Sequence, residues 1–273
     1  MTTELWKNAV AQAFDAAVES YDGQAAVQRW VAGELSGDIQ SLQEGVKTRS
    51  VLEIGCGTGA LSSALLPVFD RAHWLITDVA PAMVAACEEK QKETAGKIRG
   101  SVTYHVMDGE DPVAARDYCE QRGWNGFDLI CSSLAFQWFA DLPGTVARLR
   151  QLLAPKGHLV FTTLGSQSFG QWKAALEQAG LDVQGLNYPD FRQLLEQAGR
   201  SGAVSIREEE IREPYSSARD FLNMLSGLGA DRQKADVAPV STAKLRRALR
   251  SLEEDPSGIA VDYEIFFVVC SAR

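Results

Sequence analysis

The chain has 273 residues, and 45% of them are hydrophobic, which is enough to bury a sizeable core in one large α/β domain. Its formal net charge of −9 argues against a nucleic-acid-binding protein, because such proteins concentrate basic residues. The lack of a ~20-residue apolar run, of a signal-peptide core and of any CxxC pair among the five cysteines predicts a soluble cytoplasmic protein without a membrane or metal partner.

Helix-like and strand-like patterns follow one another through the first part of the chain. Residues 4–35 carry apolar side chains at helical spacing, and the break at Tyr21-Asp22-Gly23 predicts two helices. From residue 50 short apolar runs alternate with helical runs, which favours a parallel sheet covered on both faces. The predicted strands are 50–54, 73–78, 102–107, 127–132 and 158–164. The predicted helices between them are 60–66, 81–95, 113–121 and 144–153.

The second part of the chain is more helical. We predict helices around Trp172 and around Phe191, Leu194 and Leu195, then further helices over 217–226 and 241–253. Strands are expected at 203–212 and at 263–270, and the second is apolar enough to lie inside the sheet. The expected fold is a doubly wound, mostly parallel seven-stranded α/β sheet in a single domain. Its expected parts are N-terminal helices (1–48), a cofactor-binding core (49–165), helical lid elements with one strand (166–258) and a closing strand (259–273).

A glycine-rich loop follows the first predicted strand. Gly55, Gly57 and Gly59 allow a sharp turn and close approach of the backbone to a ligand. Asp78 ends the next strand, where a carboxylate can accept hydrogen bonds from ribose hydroxyls. The spacing Gly-x-Gly-x-Gly after Glu53 differs from the Gly-x-Gly-x-x-Gly of dinucleotide-binding folds, and the Gly-Lys-Ser/Thr of a P-loop is absent. The loop resembles motif I of class I methyltransferases that use S-adenosylmethionine (AdoMet).

This resemblance implies further cofactor contacts. Glu53 would hold the methionine ammonium group, Asp108 the adenine amino group, and Arg29 the methionine carboxylate. Each of these residues also has a plain structural interpretation, as a cap, a turn residue or a surface arginine. The predicted cofactor contacts are Tyr21, Arg29, Glu53, Gly55, Cys56, Gly57, Gly59, Asp78, Val79, Met83, Asp108, Gly109 and Ser132.

Several segments together point to one family of methyltransferases. The chain is similar to the malonyl-acyl-carrier-protein O-methyltransferases of biotin synthesis over nearly its full length. The stretch Leu-Ala-x-Gln-Trp in 132–142 is the most specific of these segments, although trans-aconitate methyltransferases have a similar Gln-Trp pair. Ser133 stands where the family usually has Asn, and Ser226 where it usually has Lys. The matching segments are 8–35, 132–142, 155–165, 224–230 and 259–271.

The resemblance implies methyl transfer from AdoMet to the free carboxylate of a malonyl thioester, on acyl carrier protein or on CoA. A carboxylate is already ionised at neutral pH, so no catalytic base is required. We expect Tyr21, Ser133, Gln137 and Trp138 to position the acceptor, together with an arginine of helix 144–153 or of the lid.

Other functions are left open by the residues. They are methylation of another small acid such as trans-aconitate, nicotinamide-dependent oxidoreduction and non-catalytic binding of AdoMet. The basic run over 244–250 is either a docking surface for an acidic carrier protein or a solvated helix face.

Overall fold

The strands form one sheet, with the order β3-β2-β1-β4-β5-β7-β6 in the part of the chain that is described. The computed structural model describes residues 3–181, 188, 204–227, 241–254 and 258–272. The strands are β1 (Ser50–Ile54), β2 (His73–Asp78), β3 (Ser101–Val106), β4 (Phe127–Ser132), β5 (Leu153–Leu164), β6 (Val204–Tyr215) and β7 (Ile259–Ser271).

The five strands β1 to β5 are parallel, and their register aligns the carboxyl ends that form the site. Val51 of β1 pairs with Trp74 of β2 and with Leu129 of β4. Every residue of β1 is buried, as expected for a strand covered on both faces. Strand β7 runs antiparallel to β5, because Gly165 donates to Glu264 while Ala272 donates to Gly157. The predicted α/β class and the interior position of β7 are confirmed.

Helices connect the parallel strands. A right-handed crossover after each strand places the helices that follow β1 and β2 on one face, and those that follow β3 and β4 on the other. Pro81 begins α4, where its missing N–H costs nothing, and the Asp141 side chain caps α6 by accepting from Gly144 N at 3.0 Å. The helices are α1 (Thr3–Gln24), α2 (Ala26–Leu42), α3 (Ala60–Leu65), α4 (Pro81–Ala95), α5 (Val113–Arg122), α6 (Leu142–Gln151), α7 (Gly170–Gln178), α8 (Ala218–Gly227), α9 (Thr242–Glu253) and a 3₁₀ turn (Phe136–Trp138).

The structure corrects three predicted boundaries. The first two helices separate at Ala25 rather than at Tyr21-Asp22-Gly23, because a single glycine costs a helix only about 1 kcal/mol. Helix α6 ends at Gln151, and β5 already begins at Leu153. The Pro155–Gly157 turn is a bulge inside β5, with Lys156 at φ 68°, so it does not precede the strand.

The described chain divides into two compact units, each assembled from separated segments. One contains Met1–Gln24, Leu164–Phe191 and Glu208–Phe266, and the other Ala25–Thr163, Arg192–Arg207 and Phe267–Arg273. The predicted helix around Phe191, Leu194 and Leu195 lies outside the described residues. The single-domain division into a core and a lid stays a prediction. None of the described helices combines the length and the apolar character needed to cross a membrane.

Candidate cofactor and acceptor site

The glycine loop after β1 has the backbone that its sequence predicts. Gly55, Gly57 and Gly59 have φ values of 71°, 51° and 89°, which side-chain-bearing residues rarely adopt. A Cβ atom on Gly59 would lie 2.9 Å from Sγ of Cys87, so this position also lacks space for a side chain. Gly59 N–H donates to the Cys56 carbonyl at 2.9 Å and closes the turn into α3. The loop therefore depends on glycine for both conformation and packing.

Asp78 at the end of β2 is fixed by backbone donors. Gly57 N–H donates to its Oδ2 at 2.8 Å, and Ala80 N–H donates to its Oδ1 at 2.9 Å. The side chain is only 7% exposed. A carboxylate has about four acceptor positions, so these two bonds orient it beside the loop without exhausting its capacity. Half-buried Val79 follows directly in the chain.

Glu53 adds a second carboxyl group close to Asp78. It is 1% exposed, and Ser62 Oγ of α3 donates to its Oε2 at 2.6 Å. The pKa of Glu53 is raised from 4.5 to about 7, because burial and, to a lesser extent, the charge of Asp78 raise it by more than the hydrogen bond from Ser62 lowers it. A cationic ligand beside this pair would favour the ionised form of Glu53.

Cys56 lies in the glycine loop and Met83 lies on α4, and both side chains are buried. Cys56 N–H donates to the Thr77 carbonyl at 2.9 Å and ties the loop to β2. A hydrogen bond with Cys87 and then burial raise the pKa of the Cys56 thiol, so it stays protonated and is a poor nucleophile. Met83 on α4 is 1% exposed. All five cysteines are free and buried.

The loop after β3 packs against the same edge of the sheet. Met107 N–H donates to the Asp78 carbonyl at 2.9 Å, which places Asp108 beside the end of β2. Asp108 Oδ1 accepts from Glu110 N–H at 2.9 Å. A Cβ on Gly109 would lie 2.6 Å from Ile54 Cγ2 and 2.8 Å from Phe139 Cζ, so only glycine fits at this contact.

The segment after β4 forms a strained turn held by side chains. Leu134 has a φ of 50°, unusual for a residue of its size. Thr162 Oγ1 accepts from Leu134 N–H at 3.0 Å, and Gln137 Nε2 donates to the Leu134 carbonyl at 2.6 Å. Ser133 and Trp138 are half-buried on either side of this turn. Gln137 therefore holds the shape of this segment.

Two buried polar atoms near this turn have no hydrogen-bond partner among the described residues. They are the hydroxyl of Ser132, at the end of β4, and Oε1 of Gln137. An unpaired buried polar group costs about 1–3 kcal/mol. A ligand that supplies donors here would recover that cost.

Glu110 is a site-forming residue that the sequence did not reveal. Its buried carboxylate accepts from Ala140 N at 3.0 Å and from Asp141 N at 2.8 Å, and so joins the loop after β3 to the start of α6. An acidic residue after Asp108-Gly109 gives no local signal of this contact, because its partners lie 30 and 31 residues further along the chain.

Two of the predicted cofactor contacts lie on the N-terminal helices. Tyr21 lies on α1, where its ring meets Phe14 edge-on at 6.4 Å, and Arg29 is exposed on α2. Their roles stay predictions. Of the two arginines of α6, Arg150 donates to the Ser271 carbonyl at 3.0 Å, at the far end of β7, so it is not an acceptor ligand. Arg148 donates to Asp141 at 3.3 Å. The described residues contain no group of three side chains placed to hold a metal ion.

Comparison with known proteins supports the same assignment. A family model described as a methyltransferase domain matches residues 52–159. A malonyl-[acyl-carrier protein] O-methyltransferase from Magnetococcus marinus is 35% identical over 91% of this chain and 87% of its own length. A relative of the same name from Brevibacillus brevis is 30% identical over 97% of this chain and 96% of its own. This chain belongs to that family. The methyltransferase class expected from the glycine loop is confirmed.

One further relative and two solved structures define the extent of the similarity. The biotin biosynthesis bifunctional protein BioCD from Bordetella avium is 36% identical over 98% of this chain, which spans 53% of that protein. Among solved structures, the YcgJ protein from Bacillus subtilis has a TM-score of 0.59 at 13% identity, covering 88% of this chain and 99% of that one. The plantazolicin methyltransferase BpumL in complex with SAH has a TM-score of 0.52 at 14% identity, covering 99% and 97%. These structures share the fold.

Proposed function

We propose that this protein transfers a methyl group from AdoMet to the free carboxylate of malonyl-acyl carrier protein, at the start of biotin synthesis. One observation supports this most strongly. The Asp78 carboxylate is held by Gly57 and Ala80 N–H groups beside the buried carboxyl of Glu53, at a loop that only glycine can form. Such an edge suits a ligand with positive charge and hydroxyl groups.

The residues present fit AdoMet. Asp78 would accept hydrogen bonds from the ribose hydroxyls, and Glu53 would offset the charge of the methionine ammonium group. Asp108 would accept a hydrogen bond from the adenine amino group, and Met83 and Val79 would supply apolar contacts. When bound, AdoMet supplies a methyl group on a positively charged sulfur. Tyr21 and Arg29 remain predicted contacts to its methionine part.

The acceptor side needs positioning more than acid–base chemistry. A malonyl carboxylate is ionised at neutral pH, so the protein has no proton to remove. The segment Ser133–Trp138 would orient that carboxylate in line with the sulfur–methyl bond, and the turn at Leu134 would keep the segment rigid through Gln137 and Thr162. Ser132 and Ser133 offer hydroxyl donors to an anionic acceptor.

The carrier-bound substrate is preferred in this proposal because the relatives are named for it. Malonyl-CoA presents the same carboxylate and stays a second acceptor to test. Five free, buried cysteines suit a reducing compartment, so a cytoplasmic location belongs to the proposal.

Calorimetry followed by an acceptor panel tests this function. S-adenosylhomocysteine should bind the protein, and methyl transfer should be fastest with malonyl-acyl carrier protein, slower with malonyl-CoA and slowest with trans-aconitate. Turnover of trans-aconitate alone would move the acceptor to another small acid. Binding without turnover of any of the three would favour a non-catalytic AdoMet-binding protein. Binding of NADH without S-adenosylhomocysteine would favour an oxidoreductase.

A further inference from the structure

A groove lies at the amino edge of the parallel strands, opposite the glycine loop. The segments that precede β1, β2 and β4, together with the bulge of β5, enclose a volume of about 1020 Å³. It shares no lining residue with the loops after β1, β2, β3 and β4 that build the candidate site. Any ligand here would therefore occupy a second site.

The acidic side chains that line the groove are already engaged. Asp128 Oδ2 accepts from the backbone N–H groups of Arg49 at 2.7 Å and Ser50 at 3.1 Å. Asp70 pairs with Arg99 at 2.7 Å. Arg99 compensates the charge of Asp70, whereas Asp128 keeps its negative charge, because backbone N–H groups orient a carboxylate without neutralising it.

Three cationic side chains of the groove lack such partners. Lys47, Arg49 and Arg71 are exposed, and their side chains form no hydrogen bond or ion pair with any residue that the structure describes. They come from two separate segments, so the sequence does not bring them together by itself. In a chain of net charge −9, convergence of unpaired cations creates a local positive field, which a concave surface strengthens.

An aromatic side chain, Trp124, also lines the groove. It is half-buried, with its ring centroid 5.4 Å from that of His73. A planar group of a ligand can stack on such a ring. Guanidinium groups match the oxygens of a phosphate in pairs, which favours phosphate over a single carboxylate.

We infer that this groove binds an anionic ligand with a polyphosphate group, either free or as part of a nucleotide. Lys47, Arg49 and Arg71 would contact the phosphate oxygens. Trp124 would contact the base if the ligand is a nucleotide. The inference does not depend on the proposed methyl transfer.

Calorimetric titration of the full chain tests the site, with sodium tripolyphosphate and with ATP as separate probes. The protein is first saturated with S-adenosylhomocysteine, so that the adenosine part of ATP cannot report on the glycine loop. If S-adenosylhomocysteine does not bind, the tripolyphosphate titration still tests the groove. Both probes should bind at about 50 mM salt and weaken at about 300 mM, since screening reduces attraction between exposed charges. Tighter binding of ATP would identify a nucleotide, and equal binding would identify the phosphate chain.

A double variant and a matched control make the result specific. Lys47→Ala with Arg71→Ala should weaken tripolyphosphate binding by about tenfold or more, since each removes a charge-assisted contact. Arg246→Ala with Arg247→Ala removes the same charge from exposed positions on α9 and should change binding less than about twofold. Unchanged melting temperatures would exclude unfolding as the cause. The inference would be overturned if neither probe bound. It would also be overturned if the two double variants lost equal affinity for tripolyphosphate.

Discussion

The two edges of the parallel sheet differ in how their charged side chains are held. At the carboxyl edge, Asp78 and Glu110 are buried carboxylates that backbone N–H groups hold in place. At the amino edge, Lys47 and Arg71 are exposed cations without partners among the described residues. The carboxylates of the first edge are oriented before a ligand arrives, whereas no hydrogen bond with a described residue orients the two cations of the second edge. Asp128 at the amino edge is held by backbone N–H groups in the same way, so the difference between the edges lies in the unpaired cations of the second.

The largest effect should come from the pH dependence of the buried carboxyl at the carboxyl edge. The folded-state pKa of Glu53 is raised from 4.5 to about 7, so its contribution to stability is complete below pH 4.5 and is lost as the pH rises through about 7. The shift corresponds to about 3 kcal/mol. Denaturant unfolding of wild type and Glu53→Gln across this range gives a difference curve that isolates the group. If the free energies of unfolding of the two proteins changed with pH in the same way, the burial of an ionisable Glu53 would be contradicted.

A pair of aspartates compares the two edges directly. Asp78→Ala should weaken binding of S-adenosylhomocysteine by about 1.5–3 kcal/mol, because it removes acceptors for the ribose hydroxyls. Asp128→Ala at the amino edge removes a carboxylate that also accepts backbone N–H bonds. It should lower the free energy of unfolding without changing that affinity. The measurements are calorimetry and denaturant unfolding, and equal loss of affinity in both variants would remove the functional distinction between the edges.

The sequence predicts much of the fold and of the candidate site, and the physical reason differs from residue to residue. Strand β1 and the glycine loop follow from an apolar run that ends in residues able to adopt positive φ. The partners of Glu110 and Thr162 were not readable, because they are joined only by tertiary packing across about 30 residues. The Pro-Lys-Gly sequence predicts a turn before β5, whereas the structure has a bulge at Lys156 within β5, because this sequence suits a turn and a bulge equally well.

Two glutamines, one near each edge, allow a smaller test of the same contrast. Gln137→Ala frees the strained turn at Leu134 and should lower kcat/KM for the malonyl thioester by about tenfold, or about 1.4 kcal/mol. Gln43→Ala at the amino edge removes contacts to His158 and Thr48. It should cost about 1 kcal/mol of stability and leave kcat/KM unchanged. Steady-state kinetics on folded variants decides the matter, and a loss of turnover in the Gln43 variant would count against a local role for Gln137.

The smallest effect concerns recognition of the carrier protein by α9. Ala248 and Leu252 are buried on this helix, whereas Arg246 and Arg247 are exposed. Arg246→Glu with Arg247→Glu should slow turnover of malonyl-acyl carrier protein about threefold at low salt and spare malonyl-CoA, since only the carrier presents an extended acidic surface. Reversal of Lys47 and Arg71 is the control with the same charge change. If both reversals slowed turnover of the carrier-bound substrate equally, steering would depend on net charge alone. The basic residues of α9 would then be a solvated helix face.

The chemical nature of the product tests the central claim most directly. With methyl-labelled AdoMet and malonyl-acyl carrier protein, transfer to the carboxylate creates a methyl ester, which mild alkali hydrolyses. We predict that the label is transferred to the carrier-bound acceptor and is then released by alkali as methanol. A labelled product that survives alkali would place the methyl group on nitrogen or carbon and contradict the account.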